Sequence, residues 1–381
     1  MLWLACVLLL APGCASGFSL LVTGDVNLNP ALATRNLSYV WGTMLPVLQR
    51  ADFVAINHES TLAGVELADP NVIQFEDPLD YLGTYRAGGV DYINQANNHQ
   101  FDFGLAGLAK TQATLAGLGL AWGGLGTTAA DVRTPRVVET AVGTLAFFSM
   151  VVDECWRLDN GTLELDACTC GNNAGPPPAY QCYAAGTFPE GGLWYNWGIT
   201  DEFIAEATAV VGAYQRAHPE QFVVVFLHVG PNFQWQPYPE REQLLRNLSG
   251  VSQLVWGTSS HHIQRFEVHG STPVLFGLGD FLFRHVVGVE DWCPPYAVPC
   301  ESYRPDLALS YQFDIVRAEG GLRVDLSSML AWPSQHSSNQ TSLLRRPTDL
   351  AWVKTVFNEL SGPAVTAKYD QQTGAFRLTI N

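Results

Sequence analysis

Residues 18–30 read FSLLVTGDVNLNP, an apolar run with a β-branched centre that stops on Gly24-Asp25. A buried strand ending in a Gly-Asp turn delivers a carboxylate to the edge of a sheet. The same design recurs along the chain. ADFVAINHES (51–60) ends on Asn57 and Glu59, and VDYINQANNH (90–99) ends on Asn98 and His99. FVVVFLHVG (222–230) carries His228, SQLVWG (252–257) runs into His261 and His262, and LFGLGDF (275–281) brings Asp280. Helical stretches are predicted over 44–50, 80–88, 104–118, 200–218, 240–248 and 348–360. A strand near Leu120, a pair turning at Gly143, and late strands at 308–318, 323–330 and 375–380 complete the reading. Strands alternate with helices early and look antiparallel late, which predicts a layered α/β sandwich. In open α/β sheets ligands bind beyond the strand ends, so six polar strand ends point to one site.

The 381 residues suffice for one large α/β domain. Residues 18–345 are read as that domain, with 346–381 as a C-terminal helix and strand packed on it. Residues 153–198 break the rhythm: they hold four cysteines, a Pro176–Pro178 run and many Gly and Asn. They are read as a Cys-rich insertion. Acidic residues outnumber basic ones by 36 to 20, a net charge of −16. Such a surface repels nucleic acid and offers no broad basic channel, so no nucleic-acid partner is expected. An anionic substrate would have to be met by metal ions.

The first 17 residues, MLWLACVLLLAPGCASG, are an apolar run followed by small residues and read as a secretory signal peptide. The run is shorter than the ~20 residues a spanning helix needs. The expectation is a secreted or extracytoplasmic protein, with cell-surface association open. Beyond the signal lie Cys155, Cys168, Cys170, Cys182, Cys293 and Cys300, an even set that suggests disulfides in an exported chain. Cys293 and Cys300 flank a Pro-rich loop and are expected to pair; the other four allow three pairings. Asn36, Asn160, Asn247 and Asn339 head Asn-X-Ser/Thr sequons that would carry glycans in a eukaryotic host.

The strand-end residues mix carboxylate and amide oxygens with imidazole nitrogens, the donors that hard and borderline divalent metals prefer. A two-metal centre needs a carboxylate to bridge the ions, and ions ~3.5–4 Å apart can clamp a phosphoryl group and activate water. Taken one at a time, several residues have plainer readings. Asp25 could be a turn former, Asn98 and His99 could cap the helix near Gly104, and His261 and His262 could be a solvated pair. His228 fits a plain reading least, because a histidine behind an apolar run is buried and needs a partner.

LLVTGDVNL, ADFVAINHES, ANNH with FDFGLAGLAKT, FLHVGPNF, VWGTSSHHIQRFEV and LFGLGDF occur in an order that resembles the capsule-synthesis CapA family. ESYRPDLALSYQFDI resembles that family's late strand. The resemblance runs from about Phe18 to the C-terminal strand. It implies an αββα sandwich of the calcineurin-like metallophosphatase type with two divalent metal ions (Mn, Fe, Zn or Mg). Carried over by position, Asp25 would ligate the first metal and Glu59 would bridge the pair. Asn98 would ligate the second metal and share the catalytic role with His99, the acid or charge stabiliser. His228 and His261 would complete the shell, with Asn27, Asn57, His262 and Asp280 as additional candidates. The family's association with poly-γ-glutamate implies an extracellular anionic polymer or a phosphoester as substrate, and membrane-bound synthesis machinery as a partner. The chain departs from the metallophosphatase pattern at Asp25-Val26-Asn27, where Asp-x-His is usual, and at Gly257-Thr258-Ser259-Ser260-His261, where relatives carry more histidines. Two functions follow: a metal-dependent hydrolase, or a polymer-binding module that has kept the site for recognition.

Overall fold

The computed structural model describes residues 17–62, 64, 77–153, 156–159, 162–165, 195–197, 199–230, 233–284, 300–337 and 339–381. The signal segment, the Asn160 sequon, and Cys155, Cys168, Cys170, Cys182 and Cys293 lie outside the described residues, and the disulfide expectations with them. Among the described residues no helix is long and apolar enough to cross a membrane.

Along the chain come strands β1 (Phe18–Val26), β2 (Phe53–His58), β3 (Tyr92–Asn94), β4 (Ala121–Gly123), β5 (Arg136–Glu139) and β6 (Thr144–Asp153). Next are the hairpin β7 (Trp156–Asp159) and β8 (Thr162–Leu165), then β9 (Tyr195–Trp197) and β10 (Phe222–Val229). They are followed by β11 (Leu254–Thr258), β12 (Phe266–His269), β13 (Thr272–Leu275) and β14 (Asp280–Leu282). The last are β15 (Leu307–Ala318), β16 (Gly321–Ser337), β17 (Gln340–Leu343), β18 (Val365–Asp370) and β19 (Ala375–Ile380). A ten-stranded sheet has the order β18-β19-β16-β15-β1-β2-β3-β4, with β14 on β1 and β17 on β16. A seven-stranded sheet runs β12-β13-β11-β10-β6-β5, with β9 on β6. β1 to β4 are mutually parallel, and so are β6, β10, β11 and β13, so their C-terminal ends gather on one side.

Side-chain alternation along each strand sorts the core into layers. Leu20 and Val22 of β1, Phe53 and Ala55 of β2, Phe222, Val224 and Phe226 of β10, and Leu254 and Trp256 of β11 meet between the sheets. The intervening residues face outward. Leu21, Val54, Ile56 and Ile93 pack under Trp41, Met44, Tyr81, Tyr85 and Leu115. Val223, Val225 and Leu227 pack under α1 (Asp201–Ala217) and α2 (Pro239–Ser249). The result is helix, sheet, sheet, helix. α1 shows the local logic: Thr200 caps it, acids fill its first turn, and Phe203, Ile204, Ala207 and Val211 form one buried stripe. Phe203, Ile204 and Val211 each contribute about 1.5–3 kcal/mol on burial. Val353 and Phe357 of the C-terminal helix (Pro347–Ser361) and Phe376 and Leu378 of β19 join the inter-sheet core.

Two readings change. The helix expected over 44–50 is a 3-10 stretch, Tyr39–Met44, running into one α-turn, Leu45–Leu48, because Gly42 (φ 41°) breaks the helical path and Pro46 sits at the new N-terminus. The strand in VDYINQANNH is confined to Tyr92–Asn94, since the chain then leaves the sheet for a 3-10 turn at Asn98–Phe101. β17 and β18 were not legible, being short segments with no apolar run of their own.

Candidate metal centre

Two Gly-Asp pairs build one corner of the site. β1 and β14 approach so closely that a Cβ on Gly24 would lie 1.7 Å from Gly279 O, and Gly279 adopts φ 79°. That approach brings Asp25 and Asp280 side by side in register. Beside them, Asn57 Nδ2 at the end of β2 donates to Asp25 Oδ1 at 2.6 Å. Glu59 is the residue directly after β2, its backbone N–H bonded to Val26 O and its carbonyl to Asn27 Nδ2. From the second sheet, the segment after β11 supplies Ser259 and His261, both with φ in the left-handed region. Such residues cost about 1–3 kcal/mol each unless their surroundings hold them. Ser259 N donates to Asp25 Oδ2 at 3.1 Å, and His261 Nδ1 bonds Asp280 Oδ1 at 2.9 Å. One ligand atom from each of Asp25, Glu59 and His261 lies within 4.8 Å of the others.

A second group lies on the far side of Glu59. The 3-10 turn after β3 presents Asn98 and His99, capped by Asn97, whose Oδ1 accepts from His99 N at 3.2 Å. His228 sits on the inner face of β10, in phase with Val224 and Phe226. Its Nε2 is 2.9 Å from Asn98 Oδ1 and 3.7 Å from Glu59 Oε1, and its Nδ1 is 3.1 Å from Thr258 Oγ1. His99 Nδ1 is held by Asp102 at 2.8 Å, and its Nε2 stands 3.9 Å from Glu59 Oε1.

Glu59 is fully buried, yet among the described residues neither of its carboxylate oxygens receives a hydrogen bond. Burial, reinforced by the nearby Asp25 and Asp280 charges, pushes its pKa well up. Burial and Asp280 also raise Asp25. Burial opposes the charging of His261, but Asp280 and its hydrogen bond outweigh it and raise the imidazole pKa. Burial, helped by the charges of His261 and His99, takes His228 well below the ordinary histidine range, so it is neutral at pH 7. Among the described residues no Lys or Arg pairs with Asp25, Glu59 or Asp280.

Buried carboxylates lacking both a cation and hydrogen-bond donors are costly, and divalent ions would supply what is missing. The donor set fits. Asp25, Glu59 and His261 would hold one ion, and Glu59, Asn98 and His228 a second. Asp280 fixes His261 so that Nε2 would serve the metal, in the manner of carboxylate-histidine-metal triads.

Of the residues singled out in the sequence, Asp25, Glu59, Asn98, His99, His228, His261 and Asp280 are thus brought together. Asn57 enters as the partner of Asp25. Asn27 lies beside Glu59, and among the described residues its buried Oδ1 has no hydrogen-bond partner. His262 is not brought in: its Nδ1 bonds Ile263 O, and Trp235 and Tyr303 enclose the ring. Burial holds its pKa down to about 3. Asn98 and His99 do not cap the helix at Gly104–Leu118, whose N-cap is Phe103; they lie in the preceding 3-10 turn, which Asn97 caps. Sequence reading missed Asp102 and Thr258. The i,i+3 spacing of His99 and Asp102 was a usable signal for the first; nothing in the sequence pointed to the second.

Fold and site define a two-sheet α/β sandwich with a carboxylate-imidazole-amide centre at its strand ends. Residues 19–285 match the family model described as bacterial capsule synthesis protein PGA_cap, and the chain belongs to that family. It is similar to a probable polyglutamine synthesis accessory protein of Mycobacterium tuberculosis, 26% identical over 335 residues, 84% of this chain and 76% of the relative. It is also similar to the capsule biosynthesis protein CapA of Bacillus anthracis, at 24% over 254 residues, 64% of this chain and 54% of the relative. PGA biosynthesis protein CapA of Bacillus subtilis is 22% identical over 246 residues, 62% of this chain and 55% of the relative. Among solved structures, the calcineurin-like phosphoesterase YfkN of Bacillus subtilis aligns with a TM-score of 0.38 at 10% identity, over 84% of this chain and 91% of that one.

Proposed function

We propose that this chain is a metal-dependent hydrolase that acts on a phosphoester or a γ-glutamyl-type bond during synthesis or processing of an extracellular anionic polymer. The observation that carries this is Glu59, a buried carboxylate that receives no hydrogen bond among the described residues, set between two groups of metal-competent ligands. The relatives' names, which speak of polyglutamine, PGA and capsule synthesis, support the substrate class. Divalent ions bound there would polarise the scissile group and lower the pKa of a water. The protein's own part is positional. Asp280 orients His261, Thr258 orients His228, and Asn57 steadies Asp25. His99, anchored by Asp102 and still partly exposed, is placed to give a proton to the leaving group. The apolar first 17 residues support export, and secretion with access to membrane-bound synthesis machinery is part of this proposal.

A second reading, a non-catalytic polymer-binding module, is favoured by one observation. At Ser259 a backbone N–H, not an imidazole, meets Asp25, so the centre has fewer nitrogen ligands than the metallophosphatase pattern. Elemental mass spectrometry on protein purified without chelator separates the two. Wild type should carry about two divalent ions per chain, with loss in Glu59→Ala and His228→Ala, and should hydrolyse p-nitrophenyl phosphate or poly-γ-glutamate. No metal above background, with all three proteins folded, sinks the hydrolase and leaves the binding module.

A further inference from the structure

Directly behind the metal centre, on the helix-covered face of the first sheet, lies a second buried polar cluster. β2 alternates, so Asn57 faces the gap between the sheets while its neighbour His58 faces the helices. His58 Nε2 meets Asp77 Oδ2 at 2.7 Å, and Gln95 Nε2 meets His58 Nδ1 at 2.8 Å. With the Gln95 amide donating to Nδ1, Nε2–H donates its hydrogen bond to the Asp77 carboxylate. Asp77 Oδ1 accepts Leu28 N at 3.0 Å, and Tyr85 OH lies 3.3 Å from Oδ2. Asp77 N donates to Thr61 O at 3.1 Å. His58, Asp77, Tyr85 and Gln95 are all buried, so no ligand reaches them from solvent.

These bonds fix the segment that carries Glu59, residue by residue. The His58 side chain is held by Asp77 and Gln95, and its carbonyl by Asn97 Nδ2 at 2.8 Å. Glu59 is held through both its N–H and its carbonyl, Ser60 O accepts Gln100 Nε2 at 2.8 Å, and Thr61 O accepts Asp77 N. Asn97 in turn caps the turn that presents Asn98 and His99. Among the described residues, the polar group of Glu59 that receives no hydrogen bond is the carboxylate itself. A backbone so held keeps like charges close together at Asp25, Glu59 and Asp280, where repulsion would otherwise swing Glu59 away.

We propose that Asp77 and His58 are positioning residues that lock the bridging carboxylate, and through Asn97 the Asn98-His99 turn, in metal-binding geometry. This rests on the metal-centre reading above. The test is Mn2+ binding by the full chain, followed by electron paramagnetic resonance, with thermal melts alongside. Asp77→Asn and His58→Leu should each weaken Mn2+ binding about 10- to 100-fold and broaden the signal of the bound ion. Asp52→Asn is the control: Asp52 accepts Ser19 N and Oγ at the opposite end of β2 and should cost stability without changing Mn2+ affinity. Should both site variants fail to fold, Tyr85→Phe, which removes only the 3.3 Å contact, carries the test with a loss of about 2–5-fold. Unchanged Mn2+ affinity in the folded variants, or a loss no greater than that of Asp52→Asn at equal loss of Tm, overturns the proposal. Wild type that binds no Mn2+ overturns the metal-centre reading itself.

Discussion

Asn98 Oδ1 and His228 Nε2, 130 residues apart in sequence, lie 2.9 Å from each other across the gap between the two sheets. One belongs to the turn after β3 and the other to β10, so this contact closes the far side of the site. Both are atoms that a divalent metal would take.

Asn98→Ala should for that reason act on metal occupancy more than on folding. Half-saturation with Mn2+ at the site beyond Glu59 should move up by about 10-fold or more, while Tm stays within a few degrees. Equilibrium dialysis with elemental analysis checks it.

Glu59→Gln tests the electrostatic reading in metal-free protein. The folded-state pKa of Glu59 is raised, so its contribution to stability is present below its unfolded value and lost as pH rises through the folded one. The glutamine variant should melt higher than wild type at neutral pH, by a few degrees for each ~1 kcal/mol relieved. The advantage should fade as pH falls towards the ordinary glutamate value of 4.5. With metal bound the order should reverse, because wild type then gains the bridge. Differential scanning calorimetry with and without chelator follows both halves.

Asp280→Asn removes the charge that raises the His261 pKa and the acceptor that fixes the ring. Metal affinity should fall about 10- to 100-fold. The pKa of His261 in the metal-free protein, followed by NMR titration, should fall, because burial then acts without the opposing carboxylate.

His99→Ala should leave metal content intact and lower kcat by about 100- to 10,000-fold on whichever substrate is found. Asp102→Asn should show a smaller loss of the same kind, since it holds Nδ1. Steady-state kinetics alongside metal analysis distinguishes this from loss of the centre.

Trp256→Phe tests the seam between the sheets. The indole is fully buried and its Nε1 donates to Thr23 O of the other sheet at 3.0 Å. Phenylalanine keeps much of the apolar area but leaves that carbonyl unpaired, so the cost should be about 1–3 kcal/mol. Chemical denaturation measures it.

The apolar runs at 18–26, 53–58 and 222–229 are a local property that marks strands buried on both faces; which face meets the other sheet and which the helices was decided by packing. The polar residues that end those strands were equally legible, because a strand that runs out of apolar residues must leave the core. Asp25, Glu59, Asn98, His228 and His261 could thus be singled out by position. Their distances could not. Whether His262 or His261 joined the cluster turned on backbone φ values and on Asp280, and neither is encoded in the spacing of TSSHH. The role of Asp77 was invisible, since its partners His58, Leu28 and Tyr85 come from three separate elements. Periodicity is set by neighbours a few residues apart. Partnership is set by which strands the sheets bring together, so the ligand identities belonged to the sequence and the geometry of the centre to the tertiary structure.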